Sequence, residues 1–300
     1  MNVFITGGRG FVGQHLTKFL LDKGCKVVSV SRSKKSDGPS HDNFRYLSAD
    51  TTIPGAWQEE VKNVDVIVNL AGVNIFSYWT QKYKQAIYDS RILTTKNLVE
   101  AIPENNNTTL ISTSALGFYG DRGDDILTEQ EPNGTDFLAK VCADWEKEAF
   151  QAEKKQTRVA IARFGVVSDK SGGAMKMMLP AFKFFVGGPL GKGTQFFPWV
   201  HLHDLIQAIW HLVENKELSG IFNFCAPEPI RNRDMSKTIG KLLRRPSFMA
   251  VPGFAIRMVI GELGSMVLFS QRGKPEKLLS SGFTFQFENF EVALKEILGK

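Results

Sequence analysis

The chain is poor in cysteine, with three in 300 residues, at positions 25, 142 and 225. That number and spacing exclude a disulfide framework and form no zinc pattern, so a reducing compartment, the cytoplasm, is expected. Long apolar runs are also missing. The best candidate, 258–269, is interrupted by Gly261, Glu262 and Gly264 and falls short of the roughly 18 to 20 residues of a membrane span. The opening MNVFITGG enters a strand-like run with no charged leader or cleavage signal. Negative charge is scarce in the second half: residues 151–300 hold 21 Lys/Arg against 12 Asp/Glu, whereas residues 1–150 hold 16 against 19. No stripe of arginines with interleaved aromatics accompanies the excess. A solvated basic surface is therefore the reading, with neither nucleic acid nor membrane expected as a partner.

What is present is a hydrophobic content of 43% over 300 residues, enough to bury a large core as one α/β unit or two closely joined lobes. Short Val- and Ile-rich runs alternate with amphipathic stretches, which is the pattern of a parallel sheet built from βαβ units. Strands are expected at 2–6, 26–31, 44–48, 65–71, 108–114 and 158–164, and helices at 79–102 and 137–153. Past about residue 168 the texture changes to Gly/Pro-rich loops, SDKSGGA and FVGGPLGKGTQFFPW, of the kind that wall substrates. A strand–helix–strand excursion at 199–226 is expected to return to the main sheet, followed by helices near 231–244, 252–269 and 288–298. The fold class is therefore a Rossmann-type, doubly wound α/β sheet spanning residues 1–168, with a smaller mixed C-terminal lobe at 169–300 facing the substrate.

The first strand runs into a helix through Gly7-x-x-Gly10-x-x-Gly13. Glycine there permits a tight turn and close approach of a pyrophosphate, while the backbone N–H groups of Phe11, Val12 and Gly13 open the helix toward it. A second strand follows about twenty residues on, which supplies the context that such a trio needs. That strand ends in Ser31 and Arg32, then Lys34 and Lys35, with no acid to hold the ribose hydroxyls of NAD. Arg32, with Arg9 from the glycine loop, suits the 2′-phosphate of NADP(H) instead. Asp50, after the third strand, is placed for the adenine amino group or a turn. Leu70, Ala71 and Gly72, after the fourth, bring small groups against the ribose.

Together these residues resemble the extended short-chain dehydrogenase/reductase superfamily. More narrowly, they resemble its atypical branch of epimerase family, NAD-dependent epimerase/dehydratase-like proteins. The resemblance rests on TGGRGFVG, IYDSRILT, SALGFYGD, FLAKVCADWE, the RFGVV-to-GGAM segment, GGPLGKGTQFFPWVHLHDL and SQRGKPEKLLSSGF, and it covers nearly the whole chain. It implies bound NADP(H) and a catalytic Asn, Ser, Tyr and Lys. Counted from the shared Glu146, the tyrosine position is Leu138 and the lysine position is Cys142, while the asparagine position falls near Arg91. Only Ser114 survives, as the group that would polarise a substrate oxygen.

Replacements are few, and each has a plain structural alternative. Tyr119 is either a proton donor at the carboxyl edge of the sheet or a packing tyrosine. Arg91 is either an anion site or a structural ion pair. Cys142, beside the nicotinamide, is either a nucleophile or a small buried residue. His201 and His203 alternate as a strand would place them, and with Asp204 they invite a metal or dyad reading. Capping by Asp204 and core hydrogen bonding explain them better, and no metal is expected. Gln195, Trp199 and Arg272 are the candidates for substrate contacts. The resulting expectation is an NADP(H)-dependent oxidoreductase or epimerase-like enzyme for a small polar substrate, as monomer or homodimer. The rival is a non-catalytic NADPH-binding sensor.

Overall fold

The computed structural model describes residues 1–34 and 38–300, so Lys35 lies outside the described residues. Seven strands form one parallel sheet: β1 (Asn2–Thr6), β2 (Lys26–Ser31), β3 (Phe44–Ser48), β4 (Val66–Asn69), β5 (Thr109–Ala115), β6 (Arg158–Phe164) and β7 (Gly220–Phe224). Their spatial order is β7-β6-β5-β4-β1-β2-β3. The direction of winding reverses between β1 and β4, and the crevice beyond their carboxyl ends is where ligands of such sheets bind.

Strand alternation divides the core. Val3, Ile5, Val27 and Val68 face α1 (Phe11–Asp22) and α5 (Leu202–Glu214) through Leu16, Leu20, Leu205 and Ile209. Phe4, Val30, Ile67 and Leu110 face the opposite side, where they meet Leu98 and Val99 of α2 (Gln81–Ala101) and Ala149 of α3 (Phe137–Ala149). Thr80 caps α2 by accepting from Tyr83 N, and Asp136 caps α3 by accepting from Leu138 and Ala139 N. The expected extension of α3 to 153 is instead a 3-10 turn over Phe150–Lys155.

The second lobe departs further from expectation. The SDKSGGA loop leads at its end into a helix that was not expected, α4 (Gly173–Lys183), with Pro180 inside it. The lost backbone bond is offset by burial of Met175, Leu179 and Phe182 in a core shared with Trp199, Met235, Ile239 and Phe290. The helix expected at 252–269 is two, α7 (Gly253–Ile260) and α8 (Glu262–Met266), broken where Gly261 takes a positive φ. The lobe also holds α6 (Asn232–Leu243), α9 (Glu276–Ser280) and α10 (Phe290–Leu298). The cap of α5 is the His201 side chain, which accepts from His203 N. Asp204 does other work: its carboxylate accepts from Gln286 N and Phe287 N, at 2.9 Å each, and so holds the later chain against α5.

Candidate cofactor and active site

The glycine turn lies at the β1 edge of the crevice. Gly7 has φ +66°, and a Cβ there would fall 2.8 Å from the Leu70 carbonyl oxygen. A Cβ on Gly13 would fall 2.5 Å from the Gly7 oxygen, so only glycine lets α1 pack this close to the loop. Gly10 N donates to Gly7 O at 2.8 Å and closes the turn. No side chain caps α1, and its first turn contains no acid. Its leading N–H groups and the positive end of its dipole are thus available to an anion, which fits a dinucleotide pyrophosphate.

At the end of β2, a residue that the sequence reading passed over sets the geometry. Tyr46, on β3, bonds to Ser31 Oγ (2.7 Å) and to the carbonyls of Ser31 (3.1 Å) and Ser33 (2.6 Å). The Arg9 guanidinium lies over the Tyr46 ring at 5.6 Å. One side chain therefore joins the glycine loop to the Ser31–Ser33 turn, and Arg32 is exposed beside it. Asp50 Oδ1 accepts from Thr52 N and Oγ1, as a turn residue does.

The floor is a buried polar chain. Thr6 Oγ1 donates to Asn69 Oδ1 (2.6 Å) and accepts from Leu70 N and Ala71 N. Asn69 Nδ2 donates to Thr95 Oγ1, which also accepts from Trp145 Nε1, both at 2.8 Å. This fixes the Leu70–Gly72 backbone at the mouth of the crevice. Arg91 lies against Gly72 and 5.3 Å from the Trp145 ring centroid, with Nη1 donating to the carbonyls of Val73 and Ile87. Burial pulls its pKa down. Its bonding partners are carbonyls, so the ion-pair alternative finds no carboxylate here among the described residues.

Helix α3, where the resemblance places the tyrosine and lysine positions, differs in environment as well as in sequence. Leu138 packs in an apolar cluster with Trp79, Phe137, Ile260, Leu263 and Met266, under the α7–α8 hairpin. Cys142 is buried, and burial together with nearby Glu146 pushes its thiol up to about 11 against the pull of Arg91. It is a neutral thiol near pH 7, not a nucleophile. Ser114 Oγ donates its hydrogen to Glu146 Oε1 at 2.6 Å. Glu146 forms a two-point pair with Arg163, Nε to Oε1 and Nη2 to Oε2, both 2.8 Å.

Tyr119 requires correction. It is 0% exposed, donates to Asn223 Oδ1 (2.7 Å) and accepts from Arg163 Nη1 (2.8 Å). Burial pushes its hydroxyl up to about 12. It is a core residue of the Glu146–Arg163–Asn223 network, not a proton donor at the crevice. Trp199 is corrected likewise: it is 1% exposed, edge-on to Phe290 at 5.2 Å, and bonded to Glu228 O.

Gln195 does line a cavity. It has a volume of about 600 Å³ and is walled by Asp121, Asp124, Lys192, Gln195, Arg257 and Ser270 among others. Ser114, Arg91 and Cys142 are not in its wall. Arg272 sits beside it, 5.1 Å over the Phe196 ring, with Arg231 over the same ring at 4.2 Å and ion-paired to Asp124 at 2.9 Å.

Asp169, His201 and Glu296 bring three potential ligand atoms within 4.8 Å of one another. Because His201 Nδ1 accepts from His203 N, its Nε2 carries the hydrogen and donates to Glu296 at 3.1 Å. That nitrogen has no lone pair for a metal.

A doubly wound sheet with a glycine turn at its switch point defines a dinucleotide-binding Rossmann protein. Residues 3–225 match the model of the NAD dependent epimerase/dehydratase family, and residues 251–297 match a domain of unknown function, DUF1731. The chain is 37% identical to the chloroplastic epimerase family protein SDR39U1 homolog of Arabidopsis thaliana, covering 99% of this chain and 87% of that one. It is 36% identical to epimerase family protein YfhF of Bacillus subtilis, covering 99% and 98%. Among solved structures, human epimerase family protein SDR39U1, crystallised with NADPH, superposes with a TM-score of 0.88 at 31% identity over 100% of both chains. The chain belongs to the NAD-dependent epimerase/dehydratase family.

Proposed function

We propose that this chain is an NADP(H)-dependent enzyme of the atypical extended short-chain dehydrogenase/reductase type, acting on a small polar, anionic substrate without a tyrosine–lysine relay. The observation that carries the cofactor assignment is the cradle: Gly7 and Gly13 leave no room for a side chain, α1 is uncapped, and basic residues follow β2 where an acid would select NAD. Gly7, Gly10, Phe11, Val12 and Gly13 hold the pyrophosphate, and Arg9, Ser31 and Arg32 hold the 2′-phosphate. Asp50 meets the adenine. Leu70, Ala71 and Gly72 line the ribose, with Ser114 and Cys142 on the nicotinamide side. NADP(H), when bound, supplies or accepts a hydride. The NADPH named with the human relative supports the same assignment.

Around the hydride end, the chain's own groups limit the chemistry. Leu138 has no proton to give, and Cys142 stays neutral. Ser114 polarises a substrate oxygen only if its hydroxyl turns away from Glu146. Arg91 is the cation at hand, a desolvated guanidinium bonded to carbonyls, and it takes the anionic group of the substrate. Water delivers the proton. Non-catalytic NADPH binding is the second reading, favoured by the apolar seal of α7–α8 over Leu138.

The test is loss of 340-nm absorbance from bound NADPH against panels of carboxylate-bearing carbonyl compounds and sugar nucleotides, with Arg91→Gln beside the wild type. Turnover that loses about tenfold or more in kcat/KM in the variant supports the enzyme. A bound NADPH that no compound oxidises supports the second reading.

A further inference from the structure

The basic excess of the second half is not evenly spread. Residues 170–203 contain Lys170, Lys176, Lys183 and Lys192 and no acid, and residues 235–261 contain Lys237, Lys241, Arg244, Arg245 and Arg257 and no acid. The fold brings these two stretches together. Val251 N donates to Pro189 O, Gly191 N donates to Val251 O, Gly188 abuts the Met249 backbone, and the Arg245 guanidinium lies 4.6 Å over the Phe185 ring.

The same two stretches carry bare apolar side chains. Phe184 is 76% exposed and Phe248 80%, and they are joined by Phe185, Val186 and Met249. Met177, two turns before Phe184 on α4, is exposed too, and α7 follows with exposed Phe254, Met258 and Val259. Lys241 and Lys237 are met by Glu291 and Asp234, but Lys183, Arg244 and Arg245 adjoin the apolar tips in sequence, and isolated exposed hydrophobics need no explanation whereas such a cluster does.

We propose that this surface seats on an anionic lipid headgroup layer, with the phenylalanine and methionine tips entering the interface and the surrounding lysines and arginines meeting lipid phosphates. The charge decides among occupants. A second copy docked face to face would set cation against cation. A globular acidic protein would have to supply apolar recesses matched to these tips, whereas a lipid layer takes them without matched shape, and the 600 Å³ cavity nearby is lined by none of the exposed phenylalanines or methionines. Protruding apolar tips ringed by Lys and Arg are the pattern of peripheral membrane attachment. No helix among the described residues is long and apolar enough to cross a membrane, and the proposal requires none.

The experiment is co-sedimentation of the full chain with vesicles of equal parts phosphatidylglycerol and phosphatidylcholine, against pure phosphatidylcholine, at low and high salt. Variants are Phe184→Ser/Phe248→Ser and Lys183→Glu/Arg244→Glu/Arg245→Glu, each checked by thermal melting for an intact fold. Partitioning onto the anionic vesicles should exceed that onto the neutral ones by about tenfold or more and weaken with salt. It should fall by about tenfold in the phenylalanine variant and further in the charge-reversed one. Absence of binding to anionic vesicles at low salt overturns the proposal. So does binding that ignores the two phenylalanines, and so does capture of soluble polyglutamate without vesicle binding, which assigns the surface to an acidic protein.

Discussion

At position 142 the family's lysine would stand as a cation beside the nicotinamide, and this chain has a thiol that burial keeps neutral. At 138 a leucine packs where a phenol would project. Both changes are legible in the sequence, because fixed spacing from Glu146 on one helix locates them. The role of Tyr119 is not legible in the same way. Its neighbours Arg163 and Asn223 come from β6 and β7, far away in the chain, so only the folded sheet shows that its hydroxyl is already committed. Tyr119→Phe removes that hydroxyl and leaves Arg163 and Asn223 short of a partner. It should cost about 1–3 kcal/mol of unfolding free energy, read by urea denaturation, while NADPH affinity stays at the wild-type value. A variant that is as stable as wild type but loses activity would return Tyr119 to the crevice. Tyr46 was missed for a similar reason: its contacts with Ser31 and Arg9 cross two strands and a loop, and no motif marks it.

Among the elements, the strands were the most legible. The Val- and Ile-rich runs give β1, β2 and β6 at their observed bounds, since a strand buried on both faces is largely apolar, and β3, a half-exposed edge strand, also falls at its expected bounds. Helix α4 was obscured because Gly172, Gly173 and Pro180 signal a loop locally, and tertiary burial of one apolar face overrides them. The resemblance points to Asp204 as the cap of α5, whereas the buried His201 caps it. This has a pH consequence. Burial lowers the folded-state pKa of His201 from 6.5, against the opposing pull of Glu296. The unfolded chain therefore binds the proton more readily, and the contribution of His201 to stability, complete above about pH 6.5, is lost as pH falls below it. His201→Asn keeps a cap acceptor for His203 N and removes the titration. Its drop in melting temperature between about pH 7 and about pH 5.5 should be smaller than that of the wild type. An equal drop would show that His201 does not govern the acid response of α5.

At the scale of the whole molecule, one sheet carries the glycine cradle at its switch point, the α7–α8 hairpin packs over Leu138 of α3, and the loop after β5 shares a cavity of about 600 Å³ with the C-terminal half of the chain. The winding and the cradle were legible because they depend on local pattern and on glycines adjacent in sequence. The grouping of cations from 170–203 and 235–261 was not, since a count of charge does not say which segments become neighbours. The proposed function requires that the cradle take NADPH and discriminate by the 2′-phosphate. The most direct measurement is titration of cofactor-stripped protein with NADPH and with NADH, followed by nicotinamide fluorescence, for the wild type, Arg32→Ala and Gly13→Ala. The prediction is that NADPH binds at least about tenfold more tightly than NADH, that Arg32→Ala erases the difference by weakening NADPH alone, and that Gly13→Ala weakens both. Equal binding of the two dinucleotides by the wild type, or no binding of either, would contradict it.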